Sequence, residues 1–341
     1  MEEKIVSKPV RKQRDIFDLT KYVLCFIVIM VHSSFLREYL YPWTRIIVPI
    51  YFMISAFLFC EKLNRTPEAE HWKVTKKYIW RNVTLYLFWF IVLSPITFIF
   101  RKGVWSGENS LLSITKVLET LFLTNSFFSS WFITGCIYGA LAIFLTRKVP
   151  TWILATIICV AFTIFCFFSS YSFVFGRVNE FATFYAPNAI VWMLLGALVV
   201  RHNIEIKSKK GFIIVGSLTA LTLGLLFVEW YFVRRTTGVF TWDTLFFVLP
   251  LSFLTFVLIK DIPVKIKHAK TMRKLSTTLY TTHFSLIAVF NFVLEKICPD
   301  LNAYLYTFIL FAASAIVAHL ISYLIFYLEK KPHLSFLRYS Y

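Results

Sequence analysis

The chain has 341 residues, of which 58% are hydrophobic, 19% aromatic and only 16% charged. Soluble domains run nearer half apolar and a quarter charged, so a soluble globule is excluded. The formal net charge of +18 suggests nucleic acid, but Lys and Arg fall in short segments at alternate ends of apolar stretches, as membrane topology requires.

Residues 1–16 are charged and lack an apolar core followed by a small-residue cleavage site, so no signal peptide is expected to be removed. Ten stretches of spanning length follow, near 17–36, 43–60, 79–100, 127–146, 151–170, 186–200, 212–233, 243–259, 275–295 and 304–328. The segment 111–124 is too short and polar to span and reads as an interfacial or re-entrant helix. Lys and Arg number about 25 in one alternating set of connecting segments and about 8 in the other, which predicts that both termini are cytoplasmic. The expected fold is an all-α polytopic membrane protein of about ten transmembrane helices in one bundle. Residues 17–328 form its single domain, between a cytoplasmic N-terminal segment 1–16 and a cytoplasmic tail 329–341. The six cysteines show no metal-ligand spacing, and no metal or permanently bound cofactor is expected.

The first span carries the sharpest candidates. Lys21 and His32 are eleven residues apart, which returns to one helix face within roughly 20° and separates them by roughly 16 Å along the axis. Cys25, Val28 and Ile29 line the stripe between them. An ionisable residue at such depth marks a functional site by default, against the plainer role of a helix-to-helix hydrogen bond. Asp18 stands three residues before Lys21, within reach of an ion pair.

In the second span, RIIVPIYFMISAFLF, Arg45 reaches the level of His32, and Ser55-Ala56 permits close helix approach. At the start of the third, Lys73, Lys76, Lys77 and Arg81 form a basic helix face. It suits either positive-inside anchoring or the phosphates of a nucleotide-bearing donor. The ninth span opens with KLSTTLYTTHF, dense in hydroxyls and ending on His283, and such polarity faces a bundle interior or a wet cavity. Soluble-type motifs such as GxSxG, GxxxxGK[ST] and HExxH are absent.

In this order the segments resemble the acyltransferase-3 family of integral membrane O-acyltransferases. DLTKYVLCFIVIMVH is similar to that family's first helix, an Arg or Lys, then ten residues, then His. VPIYFMISAFLF resembles its VPxFFxISGFLF segment, and KKYIWRNVTLYLFW its basic start of span three. SSWFITGCIYGAL resembles the WFL…LxxY segment, carried here by Trp131, Phe132 and Tyr138. KLSTTLYTTHFSLI resembles the late LSxxSfxIYLxH helix, with His283 on its histidine. Lys21 stands in place of the commoner Arg, and Ala56 in place of Gly.

The resemblance implies transfer of an acyl group, often acetyl, from cytoplasmic acyl-CoA to a hydroxyl of a carbohydrate or lipid-linked glycan in the cell envelope. It places the chain in the cytoplasmic (inner) membrane of a bacterium. His32 is then the expected catalytic group, as general base or as a transient acyl-histidine. Lys21, Lys73, Lys76, Lys77 and Arg81 are expected to bind the donor. Asp18, Arg45, Ser55, Trp131, Tyr280 and His283 are expected to bind the acceptor or support the site. Expected partners are acyl-CoA, the glycan acceptor and the bilayer, with no nucleic acid and a homodimer left open. The alternatives are a transporter or exporter using His32 as a proton relay, and an acyltransferase acting on an amino acid or protein.

Overall fold

A computed structural model describes residues 15–100, 130–176, 185–240 and 244–341. The expected segment 111–124 lies outside the described residues. Among these, the long helices are α1 (Asp15–His32), α2 (Ile47–Asn64), α3 (His71–Phe100), α4 (Ser130–Thr146), α5 (Thr151–Phe168), α6 (Tyr185–Arg201), α7 (Lys209–Thr237), α8 (Val248–Lys260), α9 (Ala269–Ile297) and α10 (Ala303–Leu328). A helix thus lies at each of the ten expected stretches. Six are long and apolar enough to cross a membrane, while α4, α6 and α8 are shorter apolar helices. α1 spends its first turns on Asp15, Asp18 and Lys21. The protein is an all-α, multi-pass membrane protein.

Its surface is that of a lipid-facing bundle. Ile213, Leu221, Leu320 and Tyr323 point outward, each more than half exposed, an arrangement water would punish as an aggregation patch. The interior instead takes the polar groups: Thr278, Thr281, Thr282 and Ser285 on α9 and Ser314 and Ser322 on α10 are buried. The hydroxyls of Thr281, Thr282 and Ser322 return to carbonyls of their own helices, so they enter the bundle without an unmet donor.

The helices pack as two groups. α6 lies between α2 and α4, and α1 and α10 flank α9. With no hydrophobic force to press helices together in lipid, close backbone approach and van der Waals contact do the work. Ala315, Ala318 and Ser322 give α10 a narrow stripe toward α9. Gly196 does the same for α6 against α2: a Cβ there would stand 2.7 Å from the Met53 carbonyl oxygen and 3.0 Å from the Ala56 Cβ. The family's usual glycine at position 56 is therefore answered by a glycine across the contact.

Some helix ends are fixed by distant groups. The Glu229 carboxylate, on α7, accepts the backbone N–H groups of Phe246 at 2.6 Å and Phe247 at 2.9 Å. It caps the free donors ahead of α8 and starts that helix at Val248, later than the expected 243. Asp15 similarly accepts Ile266 N–H at 3.1 Å, tying α1 to the chain that leads into α9. α1 thereby sits where the two helix groups meet.

Candidate active site

A cavity of about 650 Å³ opens at the Lys21 end of α1. Its wall holds seven cations, Lys21, Lys62, Arg65, Lys77, Arg81, Lys270 and Arg273, against two acids, Asp18 and Glu61. Asp18 is already occupied: Arg273 takes both its oxygens, Nε at 2.9 Å and Nη2 at 2.7 Å. The expected Asp18–Lys21 ion pair is thus replaced by a bidentate one, which a planar guanidinium makes better than an ammonium. Among the described residues Lys21 has no ion-pair partner within 4 Å. The cavity is a concentrated positive field suited to a multiply charged anion.

Of the expected basic face on α3, Lys77 and Arg81 line this cavity together with Tyr78 and Asn82. Lys73 and Lys76 are exposed and are not in its wall. Ser55, expected to bind the acceptor or support the site, lines this cavity with Cys136, Phe132 and Ser276. Its hydroxyl donates to the Tyr51 carbonyl at 2.9 Å.

At this end of the cavity three rings from three helices pack together. Phe132 of α4 lies 4.9 Å from Tyr280 of α9, and Tyr51 of α2 lies 5.5 Å from Tyr280 and 5.9 Å from Phe132. The Tyr51 hydroxyl donates to the backbone oxygen of Lys21. Cys25 Sγ sits 2.9 Å from that hydroxyl and donates to the Ser276 carbonyl at 3.2 Å. These bonds pin the trio to the stripe of α1 that joins Lys21 to His32. Trp131 stands behind it, 5.8 Å from Phe52.

On the far side of the trio are two histidines. Tyr280 lies 5.7 Å from His283, and His283 lies 5.3 Å from His32, ring centre to ring centre. Phe284 packs on the other side of His32 at 4.4 Å. His283 is 1% exposed, with Nδ1 2.6 Å from the Tyr280 carbonyl oxygen. His32 is exposed, with the rings of His283 and Phe284 packed against it. Arg37 and Arg45 bear on it electrostatically, and the Arg45 guanidinium stacks on Tyr41 at 4.6 Å.

α1 therefore carries a basic cavity at one end and an imidazole at the other, with α9 supplying a residue to each: Arg273 and His283. Sequence reasoning missed Arg273 and Lys270. Their signal was present, since Lys270, Arg273, Lys274 and Thr277 recur at helical spacing before span nine. Tyr51 and Phe132 fall in the segments that carry the family resemblance but were not among the expected site residues, since nothing local in α2 or α4 marks a ring as part of a three-helix contact.

No curated protein and no solved structure shows significant similarity to the chain. A family model does: the one described as an acyltransferase domain, Acyl_transf_3, matches residues 14–327. That match begins at the residue before α1 and ends one residue short of the end of α10, so it takes in the cavity, the ring trio and both histidines. The chain belongs to the acyltransferase-3 family and is a multi-pass membrane acyltransferase.

Proposed function

We propose that the protein moves an acyl group, acetyl being the simplest, from acyl-CoA to a hydroxyl of a carbohydrate or lipid-linked glycan. The observation that supports this is the placing of a basic cavity and an imidazole on one face of one unbroken helix, roughly 16 Å apart. CoA phosphates suit the field of Lys21, Lys62, Arg65, Lys77 and Arg81. The extended pantetheine arm has the reach to run along Cys25, past the Tyr51–Phe132–Tyr280 rings, and bring the thioester beside His32.

His32 acts as general base. Its free ring nitrogen takes the acceptor hydroxyl's proton as that oxygen bonds to the thioester carbonyl carbon, the C–S bond breaks, and the thiolate leaves with the proton restored to it. Arg45 and Arg37, beside His32, are suited to the oxyanion or the acceptor. The Lys21 end faces the cytoplasm, where acyl-CoA is made, and the Lys and Arg distribution supports that orientation and an inner-membrane location.

The test is release of free CoA by purified protein given acetyl-CoA and a pool of cell-envelope glycans, wild type beside His32→Ala. Release by wild type alone, with His32→Ala folded and still binding donor, supports the reading. Equal release by both removes His32 from the chemistry. Neither donor binding nor release would favour a transporter, which moves its substrate without consuming acyl-CoA.

A further inference from the structure

His283 has only half of its hydrogen bonds made. A carbonyl oxygen can only accept, so the 2.6 Å contact with Tyr280 O assigns the ring hydrogen to Nδ1. Nε2 is then a bare lone pair. It is buried and has no partner among the described residues. An acceptor left unmet in an apolar interior costs about 1–3 kcal/mol, which a residue serving only to pack two helices would not incur. The neighbour within reach is His32, whose ring centre is 5.3 Å away with its plane inclined by 33°. At that separation a modest ring rotation brings a nitrogen of His32 within hydrogen-bond distance of Nε2.

Among the described residues, rings and arginines face the pair. Tyr280 and Phe284 flank the rings from α9, at 5.7 Å from His283 and 4.4 Å from His32. Arg37 and Arg45 act on His32 from the chain after α1. Among the described residues no carboxylate forms an ion pair with either histidine.

We infer that His283 is a positioning residue for His32: its Nε2 accepts a ring N–H of His32 and so fixes which nitrogen His32 turns to the acceptor hydroxyl. This rests on the acyl-transfer reading with His32 as base. When His32 takes the hydroxyl proton it becomes an imidazolium, and the hydrogen bond to Nε2 strengthens as charge develops. The proton then goes to the departing thiolate, and His283 gains and loses none. Its role is the orienting one a carboxylate plays in hydrolytic triads, filled by a neutral group that can lie inside a membrane without the cost of a buried charge.

The experiment compares His283→Gln with His283→Met in the full-length protein, by steady-state kinetics with acetyl-CoA and the glycan pool. The two side chains are nearly isosteric, and only Gln offers an acceptor oxygen. The expected result is kcat about 100-fold lower for Met with donor and acceptor KM unchanged, and recovery to within several-fold of wild type for Gln. Met as active as wild type, or Gln fallen as far as Met, overturns the inference. Should Met fail to fold, Gln decides alone, near-wild-type kcat supporting and a 100-fold loss overturning. A wild type with no turnover at all would instead sink the acyl-transfer reading beneath it.

Discussion

Arg273 of α9 grips both carboxylate oxygens of Asp18 on α1, at 2.9 and 2.7 Å. The Asp18 side chain is 5% exposed and the Arg273 side chain 46%. Removing the arginine strands a buried carboxylate, whereas removing both partners does not. Arg273→Ala should therefore cost on the order of 2 kcal/mol, less than the ~3–5 of a fully buried pair because the guanidinium is half in solvent. Thermal unfolding in detergent checks this. The double variant Asp18→Asn/Arg273→Ala should unfold at a higher temperature than Arg273→Ala, and a double variant no more stable would show that the pair is not what holds α1 to α9.

That same pairing leaves Lys21 for the donor. Lys21→Gln should raise the KM for acyl-CoA about tenfold, the size of one charge-assisted hydrogen bond, with kcat little altered. Lys21→Arg should keep donor affinity, since the cavity needs charge there more than a particular shape. A fall in kcat at unchanged KM would put Lys21 at the chemistry instead.

The contact between α2 and α6 makes a further separable prediction. In Gly196→Ala the new methyl meets the Met53 backbone at 2.7 Å, and backbone cannot swing aside, so the helices must part at a cost of about 1–3 kcal/mol. Gly216 on α7 has nothing within 4 Å of its Cβ position, and Gly216→Ala should gain about 0.5–1 kcal/mol from helix propensity alone. Opposite shifts in unfolding temperature are expected. Two shifts of the same sign would mean α2 and α6 do not meet so closely.

What the sequence made legible follows from which constraints are local. Bilayer thickness dictates apolar length, so all ten helices could be marked along the chain. Their ends were less legible wherever a remote group sets them. α8 starts at Val248 because of Glu229, on another helix, and α3 begins at His71 rather than 79, since its first two turns lie in a polar, still helical stretch. In the site, Lys21, His32 and His283 stood out because charge and imidazole are costly in lipid. Tyr51 and Phe132 lie in segments that carry the family resemblance, but their meeting with Tyr280 across three helices is a tertiary contact that no local pattern shows.

The tail offers a pH-dependent prediction. Residues Pro332–Ser340 fold back as a 3-10 helix beside α3, where Trp89 Nε1 donates to the Ser340 carbonyl at 2.9 Å. Lys274 Nζ donates to Glu329 Oε1 at 3.0 Å and to the Tyr341 hydroxyl at 2.6 Å, and that hydroxyl donates to the other Glu329 oxygen. Tyr341 thereby forms part of the wall of the basic cavity. Burial pushes the Glu329 carboxyl up, but the hydrogen bonds from Tyr341 and Lys274 outweigh it and hold the group below its ordinary 4.5. A carboxyl depressed in the docked state stabilises docking above its ordinary value, and that contribution is lost as pH falls through the depressed one. Hydrogen exchange of residues 332–340, corrected for its intrinsic pH dependence, should be slow at about pH 6 and accelerate as pH falls below the ordinary carboxyl value of 4.5. Glu329→Gln should remove that acid dependence, exchanging faster than wild type at about pH 6 and like wild type at the acid end. Acid-induced release that survives in Glu329→Gln would assign the docking of the tail to Trp89 and the rings around it rather than to this carboxylate.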